Sequence, residues 1–236
     1  MTTGKLKLIM PILITLGLLT GSVTNSGYKG QNAIAATTQS GWSNILILGN
    51  SITQASANPS IGWNNNWGMA ATAADSDYVH RLTVQFYKKN SNCKVTAFNI
   101  ASFETGFASY DFDANLKAYR DSKPDLLIIR IGENVQDGFN ATLFDTRYAA
   151  LVAYFKRANP TIQVYAFGSF WPGKGVVDDI MRKYSPFLSL SYLGNDLSNY
   201  SFGLWIDSGI ENHPSNKGMR LISEAIWQRV GTLNKP

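Results

Sequence analysis

Three short segments, each placed just after an apolar run, carry the residue types of acyl transfer: Gly49-Asn50-Ser51, Gly132-Glu133-Asn134 and His213-Pro214. A serine hydroxyl can attack an acyl carbonyl. A side-chain amide with nearby backbone N–H groups can hold the oxyanion, and an imidazole can shuttle the proton. Ser51 as nucleophile, Asn134 as oxyanion donor and His213 as base form the candidate catalytic set. Each also has an ordinary structural explanation. A serine at a strand-to-helix junction caps the helix, an asparagine after a strand closes an Asx turn, and a histidine before a proline faces solvent. Taken singly those explanations suffice; the combination points to chemistry. The other histidine, His80, falls within a helical pattern and reads as structural.

Distant segments meet only if the fold delivers them to one place. Residues 45–48, 95–100, 126–129, 164–167 and, more weakly, 187–193 are apolar runs, the pattern of strands buried on both faces of a parallel sheet. Between them, 75–89, 142–157 and 214–230 repeat apolar residues at the three-to-four spacing of amphipathic helices, with Pro214 expected at the first helical position. Alternating strands and helices predict an α/β fold, a three-layer α/β/α sandwich on a five-stranded parallel sheet. Right-handed crossovers then bring the strand ends to one edge, where such sheets bind ligands.

The chain has 236 residues, 21 Lys and Arg against 16 Asp and Glu, and a formal charge of +5. Lys5 and Lys7 precede an apolar stretch over 8–20, and Ala33-Ile34-Ala35 offers a small-x-small cleavage site. The expected organisation is a signal peptide at 1–35, a linker at 36–43 and one domain at 44–236, in a secreted protein with no stable membrane association after cleavage. Losing 1–35 removes Lys5, Lys7 and Lys29 and no acid, which lowers the charge to +2 and weakens any case for nucleic acid. Cys93 is the only cysteine, so no intrachain disulfide forms; it reads as a small core residue. Two histidines far apart, with no Cys/His spacing, suggest no metal, and the acyl-transfer set needs no cofactor. Composition is silent on oligomeric state.

Gly49-Asn50-Ser51-Ile52-Thr53, Lys123-Pro124-Asp125, Gly132-Glu133-Asn134 and His213-Pro214-Ser215-Asn216-Lys217-Gly218-Met219, in this order, resemble the sequence blocks of the SGNH (GDSL-like) hydrolase family. The resemblance covers roughly residues 45–226. It implies a flavodoxin-like sandwich with a serine nucleophile. The chain also departs from the family pattern. Aligning Asn99-Ile100-Ala101-Ser102-Phe103-Glu104 on the second block puts Glu104 where a glycine N–H normally joins the oxyanion hole, with Gly106 as an alternative donor. A carboxylate there repels an oxyanion unless it is paired or turned away. Val135 replaces the usual aspartate of the third block. Ile210 stands where the family acid precedes the histidine, which leaves Glu211, Asp207 or a backbone carbonyl to orient His213. Glu104 and Glu133 are unusual carboxylates near the site, and Arg130 is placed to neutralise one of them.

Two tryptophans, Trp63 and Trp67, lie in a turn-rich loop with four asparagines after the nucleophile, and Trp171 follows the fourth apolar run. Indole faces stack on sugars and amides bond their hydroxyls, although such tryptophans also wedge loops onto a core. Together with export, this composition suggests a carbohydrate ester as substrate. The expected function is a secreted serine esterase that removes an acyl group, O-acetyl by preference, from a carbohydrate through an acyl-enzyme. The alternatives are a carbohydrate O-acyltransferase and a non-catalytic glycan-binding protein with a degenerate site.

Overall fold

The structure is a computed structural model and describes residues 41–232; the expected leader at 1–35 and linker residues 36–40 lie outside them. Five strands form one parallel sheet: β1 (Asn44–Gly49), β2 (Lys94–Asn99), β3 (Leu126–Arg130), β4 (Gln163–Phe167) and β5 (Phe187–Leu188). Their order is β2-β1-β3-β4-β5, so β1 and β3 are neighbours at the centre, in register from Ile45↔Leu126 to Leu48↔Ile129. The fifth apolar run yields only two strand residues.

The helices are α1 (Tyr78–Lys89), α2 (Ala101–Gly106), α3 (Phe112–Asp121), α4 (Ala141–Ala158), α5 (Gly175–Arg182), α6 (Ser191–Gly194), α7 (Ser208–Glu211) and α8 (Asn216–Val230). Strand geometry sends alternate side chains to opposite faces. Leu46, Leu48, Leu127 and Ile129 therefore pack under α3, α4 and α5, through Leu116, Phe144, Leu151 and Ile180. Ile45, Ile47, Leu126 and Ile128 pack under α1 and α8, through Leu82, Phe86, Ile222 and Ile226. Both faces are apolar, so the strands read as unbroken apolar runs, and the three-layer α/β/α sandwich follows.

Two boundaries differ from the sequence reading. Pro214 precedes α8 and bridges to Tyr200, while Ser215 is the cap, accepting the Gly218 N–H. Residues 41–43, expected in the linker, belong to the domain. Trp42 is buried in the core, and the Lys94 N–H donates to the Ser43 carbonyl at 2.8 Å. Among the described residues no helix is long and apolar enough to cross a membrane.

Candidate active site

Ser51 sits where the chain turns off the end of β1. A Cβ on Gly49 would lie 1.7 Å from Thr53 Oγ1 and 3.0 Å from the Arg130 carbonyl, so only glycine allows the turn. Just past the neighbouring strand, β3, stands Gly132, whose φ of +136° a side chain rarely adopts, and this turn sets Glu133 against Asn50 of the first segment, with Asn134 next to it in the chain. His213 arrives from the turn between α7 and α8. Its Nε2 lies 2.8 Å from Ser51 Oγ, across 162 residues of sequence. Its Nδ1 lies 2.7 Å from the Gly209 carbonyl. A carbonyl only accepts, so Nδ1 carries the proton and Nε2 presents a lone pair to the serine. Burial holds the imidazole below the usual histidine range, with the Gly209 bond pulling the other way, so it is neutral at neutral pH.

The expected role of Glu211 is corrected by this geometry. Its carboxylate accepts the Gly203 N–H at 2.6 Å, and Asp207 caps α7 through the Ile210 N–H at 3.1 Å. Neither meets the imidazole; the Gly209 carbonyl takes the place of the acid. Ile210 is fully buried against Ala55, Trp63 and Ala70, so an apolar contact occupies the position of the family acid.

Beneath Ser51 lies a buried polar network. Arg130, fully buried, donates from Nη1 to Glu133 Oε1 and from Nη2 to Asn50 Oδ1, each at 2.7 Å. Asn50 Nδ2 donates to Glu133 Oε2 at 2.6 Å and to Glu104 Oε1 at 3.3 Å. Glu133 also accepts the Phe170 N–H at 2.7 Å. Glu104 accepts the Gly132 N–H at 2.6 Å, the Asn134 N–H at 3.2 Å and Asn134 Nδ2 at 2.8 Å. Burial alone would raise the Glu133 carboxyl, but Arg130 and the surrounding donors bring it below the usual range. Burial, and then the Glu133 charge, push Glu104 up against the pull of its own donors. Arg130 thus pairs with Glu133, and Glu104 relies on N–H groups. Asn50 links the two carboxylates, a role its place in Gly-Asn-Ser did not signal.

Glu104 and Gly106, expected to offer a backbone donor, lie in α2, and Glu104 meets the site through its carboxylate.

The three tryptophans separate. Trp63 is fully buried, donates to the Ala55 carbonyl at 3.1 Å and packs against Trp67 and Trp205, so it wedges the loop onto the core and cannot touch a sugar. Trp67 is partly exposed and borders a polar cavity of about 320 Å3 with Gln54, Asn66 and His80. Trp171 stands edge-on to the His213 ring, centroids 5.8 Å apart, with Nε1 donating to the Asn212 carbonyl. It forms one wall of a groove of about 420 Å3 completed by Leu197, Tyr200, Phe202 and Asn212. The Tyr200 and Phe202 rings stack 4.9 Å apart at 10°. Sequence reading missed this pair; two aromatics spaced i, i+2 around Ser201 in a polar segment were its only signal. Among the described residues no His/Cys/Asp/Glu cluster is placed to hold a metal ion.

Compared by sequence, the chain matches no family model and no curated protein. Compared by structure, it is similar to a two-domain esterase active on acetylated mannans, with a TM-score of 0.54 and 20% identity over 82% of this chain and 51% of that one. It is similar to a Parabacteroides merdae protein described as a GDSL-like lipase (TM-score 0.53, 16% identity, 80% of this chain, 95% of that one). A family two carbohydrate esterase from Clostridium thermocellum matches with a TM-score of 0.50 and 16% identity over 81% of this chain and 65% of that one. The chain spans about half the length of the two-domain esterase. Its five-stranded parallel sheet between two helical layers is the α/β sandwich of carbohydrate esterases and GDSL-like lipases.

Proposed function

We propose that this protein is a serine esterase that removes an acyl group, acetyl by preference, from a carbohydrate. The observation that carries the reading is the 2.8 Å contact between Ser51 Oγ and the unprotonated Nε2 of a buried His213. His213 takes the serine proton as Ser51 attacks the ester carbonyl. The tetrahedral oxyanion is held by the Ser51 N–H and the Asn134 amide, donors worth most where water is excluded. As the intermediate collapses and its C–O bond breaks, His213 gives the proton to the departing sugar oxygen, which leaves as a hydroxyl. It then activates a water molecule that releases the acid from the acyl-enzyme. The Gly209 carbonyl fixes the tautomer but brings no full charge to stabilise the imidazolium, so turnover is slower than with an acid in that place.

The groove beside His213 supports a sugar as the alcohol portion. The Trp171, Tyr200 and Phe202 rings offer flat apolar faces for the C–H faces of a pyranose, and Asn212 offers an amide at the rim. The acetylated-mannan activity of one structural neighbour supports the same substrate class. Export by a leader at 1–35 would bring the enzyme to extracellular polysaccharide.

The test is 4-nitrophenyl acetate hydrolysis by the purified domain beside Ser51→Ala, followed by acetate release from acetylated xylan and acetylated mannan. Loss of about 10³-fold or more in Ser51→Ala is expected. Equal rates would end the esterase reading, and binding of deacetylated polysaccharide without turnover would install the non-catalytic alternative.

A further inference from the structure

We propose that Glu104 is the positioning residue that decides which end of the Asn134 amide faces Ser51; the proposal rests on the esterase reading of Ser51 and Asn134. Asn134 can serve an oxyanion only through Nδ2, because Oδ1 is an acceptor and would repel it. Nothing intrinsic to an asparagine selects between the two ends, which have nearly the same shape. The selection comes from its partner. Glu104 Oε2 lies 2.8 Å from Asn134 Nδ2, and a carboxyl bonded by four N–H groups and by no acceptor presents this oxygen as an acceptor. Turning the amide over would set Oδ1 against Oε2, two acceptors in a buried site. With Nδ2 held, one of its hydrogens goes to Glu104 and the other has no hydrogen-bond partner in the protein, which leaves it available to the oxyanion.

The surroundings of Glu104 keep it an acceptor. Its other oxygen takes the backbone N–H groups of Gly132 and Asn134, which cannot turn over, and Asn50 Nδ2. Every group that bonds this carboxyl is a donor. The charged groups nearest it are Glu133 and Arg130, and these satisfy one another at 2.7 Å. Glu104 is 1% exposed, so water does not compete for its oxygens. The same donors spread its negative charge away from the oxyanion, which answers the repulsion that a carboxylate at this place in the sequence would otherwise exert.

Glu104→Gln tests the idea because the backbone N–H groups of Gly132 and Asn134 claim the new amide's oxygen, which leaves its Nε2 to donate to Asn134 Oδ1 and so selects the reversed orientation. The substitution leaves Arg130 paired with Glu133 and creates no unpaired buried charge, which favours folding. Losing one oxyanion donor costs about 10²–10³-fold in kcat. Reversal of the amide is expected to lower kcat by about that factor, with KM for 4-nitrophenyl acetate within about threefold. In the Asn134→Ala background the same change is expected to cost less than twofold, since the amide it acts through is gone. A kcat within twofold of wild type, or an equal loss in both backgrounds, overturns the proposal. Should Glu104→Gln fail to fold, side-chain amide NMR of the wild-type protein decides. The Asn134 Nδ2 protons, assigned by their loss in Asn134→Ala, are expected to differ, one shifted downfield and protected from exchange. Two protons exchanging alike overturn the proposal. This readout needs no turnover, so it fails separately from the esterase reading, which falls only if Ser51→Ala matches wild type.

Discussion

The two histidines of this chain have opposite surroundings. His80 has the carboxylate partner associated with a catalytic imidazole: its Nδ1 lies 2.9 Å from Asp77 Oδ2, and its side chain is half-exposed. His213 is buried, has a carbonyl instead of a carboxylate on Nδ1, and touches the serine. An acid partner therefore does not mark the histidine proposed as base here. Asp77 is committed to structure, since it caps α1 through the His80 N–H at 2.7 Å and accepts the Gly68 N–H at 3.0 Å. The Gly209 carbonyl does the part of an acid's work that concerns tautomer and direction. It leaves undone the part that concerns charge, because a dipole stabilises an imidazolium less than a carboxylate does.

The contrast breaks most visibly in paired alanine variants. His213→Ala is expected to lower kcat by about 10³-fold or more, because base and nucleophile act as a unit. His80→Ala is expected to stay within twofold of wild type in kcat and to lose about 0.3–1 kcal/mol of stability, the scale of a partly exposed pair at a helix start. Steady-state kinetics beside thermal melting read both. Comparable kinetic losses in the two variants would erase the distinction.

The pH profile sharpens the comparison. Burial depresses the His213 pKa from its ordinary value of 6.5. The imidazolium has no lone pair for the serine proton, so activity is present above the depressed value and is lost as pH falls through it. The acid limb of kcat/KM is therefore expected to centre below 6.5. A limb centred at 6.5 or above would mean that His213 is more solvated than its 7% exposure implies.

How much of this was legible in the sequence follows from which groups leave a side-chain signature. The strands were readable because both sheet faces are buried and the runs are unbroken. Helices α2, α3 and α5 were not: at six to ten residues they span three turns or fewer, too short for a repeat to stand out, and α3 buries only Leu116. Ser51, Asn134 and His213 stood out by type and place, and Arg130 was rightly put beside a carboxylate. The Gly209 carbonyl was one of three options because a main-chain acceptor belongs to every residue alike. Ile210 was readable as a departure from pattern, but its cause is tertiary: Trp63, far away in the chain, packs on the spot where an acid would stand. The same packing defeats the reading of Trp63 as a sugar platform, while the Tyr200–Phe202 shelf proposed in its place has only its i, i+2 spacing as a local signal.

The smallest expected effect belongs to Glu211, the carboxylate nearest His213 in sequence. Its Oε1 accepts the Gly203 N–H at 2.6 Å, beside Phe202 of the groove, at a turn where Gly203 has a φ of +76°. Glu211→Gln keeps an acceptor of the same shape, so kcat is expected within about twofold of wild type. Glu211→Ala removes the acceptor and frees the turn that carries Phe202, so KM for a polysaccharide is expected to rise two- to fivefold while kcat for 4-nitrophenyl acetate holds. A tenfold fall in kcat for Glu211→Gln would mean that the carboxylate leaves Gly203 and reaches the imidazole during turnover. His213 would then use an acid partner as His80 does, and the carbonyl contact would describe only the resting enzyme.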